Sequence, residues 1–119
     1  MASPYSHPDE NVRLRRFEQA CKAASELMAT GEAVFCPIAH SHSIHVQAPL
    51  PETFEFWMAM DKPILQHCTR MVVLMLDGWQ TSKGVSEEIR TAEAMGIPIE
   101  YMPHEVQRHP IYEGIYDDE

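Results

Sequence analysis

The run Arg70-Met71-Val72-Val73-Leu74-Met75-Leu76-Asp77-Gly78-Trp79-Gln80-Thr81-Ser82-Lys83-Gly84-Val85 decides how this chain is read. After Arg70, residues 71–76 are apolar at odd and even positions alike, which predicts a strand over 70–76 covered on both faces of a sheet. Asp77-Gly78 ends that strand. A helix over about 81–95 follows, with Val85, Ile89, Ala92 and Met95 on one stripe, Ser82 as N-cap and Gly96 closing the C-terminal end. Residues 97–102 then supply a last strand. Strand, helix, strand in this order predicts a parallel sheet with helices packed on its faces.

Upstream, residues 9–30 read as a helix. Phe17, Ala20, Cys21, Ala24, Leu27 and Met28 form its apolar stripe, Arg13, Arg15, Arg16, Glu18, Gln19 and Lys22 fill the other side, Asp9 marks the start and Gly31 the end. Residues 33–36 predict a short buried strand stopped by Pro37. Residues 37–52 are rich in Pro and His, show no periodicity, and read as a long loop of the kind that carries function. A helix over about 53–68 comes next, kinked or restarted at Pro63. Only Met1 to Ser3 precede Pro4, so the first strand is expected to be truncated or very short. The tail over 103–119, ending Tyr116-Asp117-Asp118-Glu119, reads as acidic and loosely held.

The 119 residues suit a single domain over 1–119, and 45% hydrophobic against 23% charged residues is enough to bury a core. Nine Lys and Arg face 18 Asp and Glu, a formal net charge of -9, which makes nucleic acid and anionic membrane surfaces poor partners. No apolar run is long enough to span a membrane and no basic-then-apolar leader is present, so a cytoplasmic location is expected. Cys21, Cys36 and Cys68 form no disulfide framework and read as core-packing residues.

In open parallel sheets ligands bind beyond the carboxyl ends of the strands. That rule nominates Ser3 to His7, Cys36 to His45 and Asp77 to Gly84. At about 100° per residue, Glu88 falls inside the buried sector of its helix, while Glu87 and Arg90 fall opposite. The same arithmetic puts Asp61 among Phe54, Trp57, Met58 and Leu65, with Lys62 and Gln66 facing away. An ionised carboxylate on an apolar stripe costs several kcal/mol unless it is hydrogen-bonded, neutralised or lining a cavity. Each could instead be a stripe-edge residue reaching solvent. Two such carboxylates beside one crevice are the equipment of glycosidic-bond chemistry. The helix start at Ser82 and Gly84 offers a local anion site, without matching a Walker or dinucleotide fingerprint. His40, His42 and His45 lack the i, i+4 spacing of a helical zinc pair, and read as pocket-lining or structural residues, not metal ligands.

Taken together, Ala2-Ser3-Pro4-Tyr5-Ser6-His7, Phe35-Cys36-Pro37-Ile38-Ala39-His40-Ser41-His42 and Trp79 to Glu88 resemble a small branch of the nucleoside 2-deoxyribosyltransferase-like superfamily, across nearly the whole chain up to Met102. The resemblance implies an α/β, flavodoxin- or Rossmann-like three-layer sandwich with a parallel sheet of about four to five strands. It implies Glu88 as nucleophile toward the anomeric carbon, Asp61 as the acid that holds or protonates the leaving base, and Tyr5 as a residue positioning the nucleophile. Ser82 and Gly84 match 5'-phosphate contacts of the related deoxynucleoside 5'-phosphate N-hydrolases, and Asp77 an acid that touches the sugar. Ser3, Pro4, Ser6, His7, His40, His42 and Trp79 complete the expected substrate-binding set. The implied activity is hydrolysis or transfer at the N-glycosidic bond of a nucleoside or nucleoside 5'-monophosphate, through a covalent sugar intermediate on Glu88. No metal or other cofactor is called for, and a homo-oligomer, dimer or tetramer, is expected. The alternative is a nucleotide-binding or sensing module of the same fold without turnover.

Overall fold

A computed structural model describes residues 1–104. The Arg70 to Val85 run forms β1 (Met71–Met75), a loop, and the start of α4 (Lys83–Met95), and the chain returns as β2 (Ile99–Pro103). The two strands pair in parallel, Met71 opposite Ile99 and Val73 opposite Tyr101. Ser82 caps α4 as its spacing predicts, its hydroxyl accepting from the Val85 N–H at 3.2 Å, and Gly96 ends the helix in the left-handed region at φ 70.

Both faces of β1 are buried. Met71 and Val73 pack with Ala2, Val85 and Ala92, whereas Leu74 and Leu76 pack with Ala23 of α1 (Glu10–Ala29). One face of the sheet therefore meets α4 and the other meets α1, which is why this strand carries no polar face. The contact face of α1 is narrower than the spacing predicts. Ala20, Ala23 and Ala24 are its buried residues, Leu27 is half-buried and Met28 is exposed. Ala23 meets Leu74 and Leu76, while Ala20 and Ala24 pack against Cys36.

Asp9 caps α1, its Oδ1 accepting from the Asn11 N–H at 2.8 Å. Asp9→Ala removes that acceptor without touching the core and is expected to cost about 1 kcal/mol, read as a lower urea midpoint at an unchanged m-value.

The very short first strand is a single parallel bridge between Ala2 and Val73. The Ala2 N–H donates to the Val72 carbonyl at 2.7 Å, and the Leu74 N–H donates to the Ala2 carbonyl at 2.8 Å. Among the described residues the sheet has two strands in the order β1-β2, and the four to five expected from the resemblance are not shown. Residues 33–36 do not form a strand. Beside them lies only the Ala2 stub, and the bond from the Met1 amino group to the Phe35 carbonyl, 2.6 Å, does not grow into a ladder.

The expected loop over 37–52 is mostly helix. α2 spans Pro37–Gln47, with Pro37 in its first turn, where a missing N–H costs nothing. α3 is Phe54–Leu65, capped by Thr53 through the Phe56 N–H at 3.2 Å. It stops three residues short of the expected end at Cys68. Pro63 lies in its last turn, where proline cannot donate to the carbonyl four residues back. The acidic tail expected over 103–119 lies, from residue 105 onward, outside the described residues. Among the described residues no helix is long and apolar enough to cross a membrane.

Candidate active site

Asp61 and Glu88 meet. A cavity of about 20 Å³, room for roughly one water, is lined by Phe35, Pro37, Met58, Asp61, Lys62, Leu65 and Glu88. α3 supplies Asp61, which is 9% exposed, and α4 supplies Glu88 from the sector next to Val85 and Ala92. Both helices are held by their capping residues and by apolar stripes, so the carboxyls face each other across the helix pair. Neither carboxyl accepts a hydrogen bond or joins an ion pair among the described residues.

Lys62, expected to face away, lines the same cavity, but its charge is used elsewhere. Its Nζ lies 3.2 Å from Glu87 Oε1, while Glu87 Oε2 takes Arg90 Nη1 at 2.7 Å. Glu87 therefore ties α3 to α4 along the rim, and the two inner carboxyls are left without a cation in ion-pair contact among the described residues. Burial pushes Glu88 up to about 8, the neighbouring Asp61 adds to that, and the Met1 amino group opposes it. Burial likewise lifts Asp61 to about 6, against the pull of His40 and the Met1 amino group. Near neutral pH the pair thus holds about one proton, and burial favours Glu88 as its carrier. By solvent exposure Asp61 is buried and Glu88 half-buried, while desolvation weighs more heavily on the Glu88 carboxyl.

The remaining candidates divide into three groups. His40 stacks edge-on to Phe35, with ring centroids 5.8 Å apart, and is the imidazole that Asp61 feels. Tyr5 does not bond to Glu88. Its hydroxyl shares a 2.7 Å hydrogen bond with His42 Nδ1, and the His42 ring stacks on Phe17 at 4.0 Å. Burial raises the Tyr5 phenol and lowers the His42 imidazole, the latter with help from His45, so both members of the pair stay neutral. His45 turns to Glu52 at 3.2 Å. The helical twist of α2 sends its three imidazoles to three different partners, and no three such side chains converge on a metal-sized site among the described residues.

Ser3 and Pro4 are buried, and the Ser3 hydroxyl has no partner among the described residues. Ser6 and His7 are exposed, and His7 Nδ1 accepts from the Asp9 N–H at 3.0 Å. At Gly84 an added Cβ would meet only Ser82 Oγ, at 3.9 Å, so protein packing does not demand a glycine there. Asp77 is exposed and engages through its backbone carbonyl, which accepts from Arg16 at 3.0 Å. Trp79 sits apart from the carboxylates. It packs on the core beside Ile89 and lies 5.6 Å from the Tyr101 ring. It also lines a wide, open groove with Gln80, Ser86, Ile89, Arg90 and Glu93, which shares no residue with the Asp61 and Glu88 cavity. That groove offers one exposed carboxylate, whereas the small cavity brings together buried Asp61 and half-buried Glu88.

Residues 1–104 match the family model described as a domain of unknown function, DUF1937. The chain belongs to the DUF1937 family. The match spans every described residue, and so includes both carboxylates and the two strand-end loops of this DUF1937 chain. No curated protein matches it in sequence.

Two residues of the site escape sequence reading. Lys62 occupies a position that the helical arithmetic turns outward, and Arg16 lies on the polar side of α1. Nothing in their spacing separates them from solvated neighbours.

Proposed function

We propose that this protein cleaves or transfers the N-glycosidic bond of a nucleoside or nucleoside 5'-monophosphate, as a relative of the nucleoside 2-deoxyribosyltransferase-like superfamily. The observation that carries the reading is the pair of carboxyls without hydrogen-bond or ion-pair partners among the described residues, buried Asp61 and half-buried Glu88, facing one cavity from two helices. In this reading the Glu88 carboxylate attacks the anomeric carbon. The glycosidic C–N electron pair leaves with the base, and Asp61 supplies the proton that the base takes up. Water, or an acceptor base, then displaces Glu88 from the sugar, and a proton from that acceptor restores Asp61. One proton for two carboxyls is the inventory the cycle needs. It must sit on Asp61 at the moment of attack, and substrate entry that opens the cavity would lower the burial that keeps it on Glu88.

The α1 and α4 packing on opposite faces of β1, the Ala2 bridge, and the Phe35 carbonyl taken up by Met1 support a larger parallel sheet, of which β1 and β2 are the paired part. Exposed Ile44, Val46, Met60 and Ile64 on α2 and α3 support a homo-oligomer, dimer or tetramer, and we place its work in the cytoplasm. A second reading, a nucleotide-binding module without turnover, is favoured by the burial that keeps the proton on Glu88, which leaves the would-be nucleophile neutral near pH 7.

Chromatography of purified protein incubated with a panel of nucleosides and 5'-monophosphates tests both readings. Free base from at least one member is expected. Tight calorimetric binding of a nucleotide that stays intact for hours would instead establish the binding module, and neither release nor binding from the whole panel would sink both.

A further inference from the structure

Arg16 has no carboxylate partner among the described residues, and its guanidinium is spent on backbone carbonyls of two different loops. Nη1 donates to the Ser6 carbonyl at 2.8 Å and reaches the Tyr5 carbonyl at 3.4 Å, while Nη2 donates to the Asp77 carbonyl at 3.0 Å. The first two acceptors belong to the loop leaving the Ala2 stub. The third, Asp77, lies near the start of the segment that follows β1 and leads toward Ser82 and α4. A planar fork of donors can hold two such loops at once, which a point-charge ammonium cannot do. The next residue, Gly78, is shaped to this contact. Its φ is +90, and a Cβ there would lie 2.9 Å from Arg16 Nη2.

We propose that Arg16 is a positioning residue that couples the two loops at the carboxyl end of the sheet, so that the backbone carrying Tyr5 and the backbone leading into α4 move as one unit. Tyr5 reaches on to His42 of α2 through its 2.7 Å hydrogen bond, and α4 carries Glu88, so one guanidinium links the elements on both sides of the cleft. The importance of this coupling for chemistry rests on the functional reading above. The coupling itself is a property of the chain and is testable without any substrate.

The decisive test is transmission between the loops. Backbone 15N relaxation on the full chain compares wild type, Arg16→Gln, Arg16→Lys and Gly78→Ala. In wild type, Ser6 and His7 are expected to show rigid order parameters near 0.85. In Arg16→Gln they should fall below about 0.6, together with those of Gly78 and Trp79. Gly78→Ala, although placed in the second loop, should loosen Ser6 and His7 to a similar degree, because it displaces the guanidinium. Arg16→Lys should restore at most one of the two loops. A merely structural role would lower order throughout β1 and α4, or leave Ser6 and His7 untouched in Gly78→Ala, and either result overturns the proposal. If base release is also detected, Arg16→Gln is expected to reduce kcat/KM by about tenfold. If no base is released but the loops still loosen together, the functional reading fails and the coupling stands.

Discussion

Glu88→Gln is expected to lower base release by about 10^4-fold in kcat/KM, which is about 5.4 kcal/mol of transition-state stabilisation. The replacement keeps the size of the side chain and fills the same place beside Asp61, so loss of activity cannot be put down to a cavity. What disappears is the only atom in this reading able to form a bond to the anomeric carbon. Asp61→Asn keeps that atom and removes the proton donor. Its loss should be smaller for substrates whose base leaves readily, and larger for those whose base must be protonated. Rapid quenching and mass spectrometry of the intact protein should find the sugar attached to the wild type and to Asp61→Asn, but not to Glu88→Gln. A Glu88→Gln protein that turns over normally would remove Glu88 from the chemistry altogether.

The second large effect concerns stability. The folded state raises Glu88 from the ordinary value of 4.5 to about 8, so folding favours its protonated form. Stability from this group is complete below about pH 4.5 and is lost as pH rises through about 8. The span of about 3.5 units corresponds to roughly 4–5 kcal/mol at most. Asp61, raised from 3.8 to about 6, contributes a smaller loss with the same sign at lower pH. The two cannot be summed, because part of the Glu88 shift is Asp61 itself.

Urea unfolding at pH 5 and pH 9 should show wild type losing several kcal/mol between the two, with Glu88→Gln losing far less. At pH 9 the variant should therefore be the more stable protein, by roughly 3 kcal/mol. Both proteins carry the same exposed acids elsewhere, so their difference isolates the buried group. Parallel curves for wild type and variant would show that Glu88 is not desolvated in solution.

Much of this site is legible in the amino-acid sequence. Helical arithmetic turns Asp61 and Glu88 toward the core, and the caps at Asp9, Ser82 and Gly96 lie where local backbone chemistry puts them. These are properties of a few residues in a row. The segment from Pro37 to Gln47 is not legible as helix, because Ser and His are indifferent helix formers, its hydrophobic pattern is weak, and Pro37 reads equally as a stop and as a first-turn residue. Residues 33–36 have the composition of a strand, but a strand needs a neighbour, and the stub at Ala2 makes its single bridge with Val73 of β1.

By itself, then, the sequence determined the strand, helix, strand order around residues 70–103, the caps at Asp9, Ser82 and Gly96, and which acids face inward. Each follows from periodicity and from the steric and hydrogen-bonding limits of adjacent residues. Tertiary structure alone decided that the two inward acids share one cavity, that Lys62 is drawn off to Glu87, that Tyr5 bonds to His42 instead of Glu88, and that Arg16 holds two loops together. Those are contacts between residues 10 to 61 positions apart in the chain, and no local rule of spacing can see across that distance.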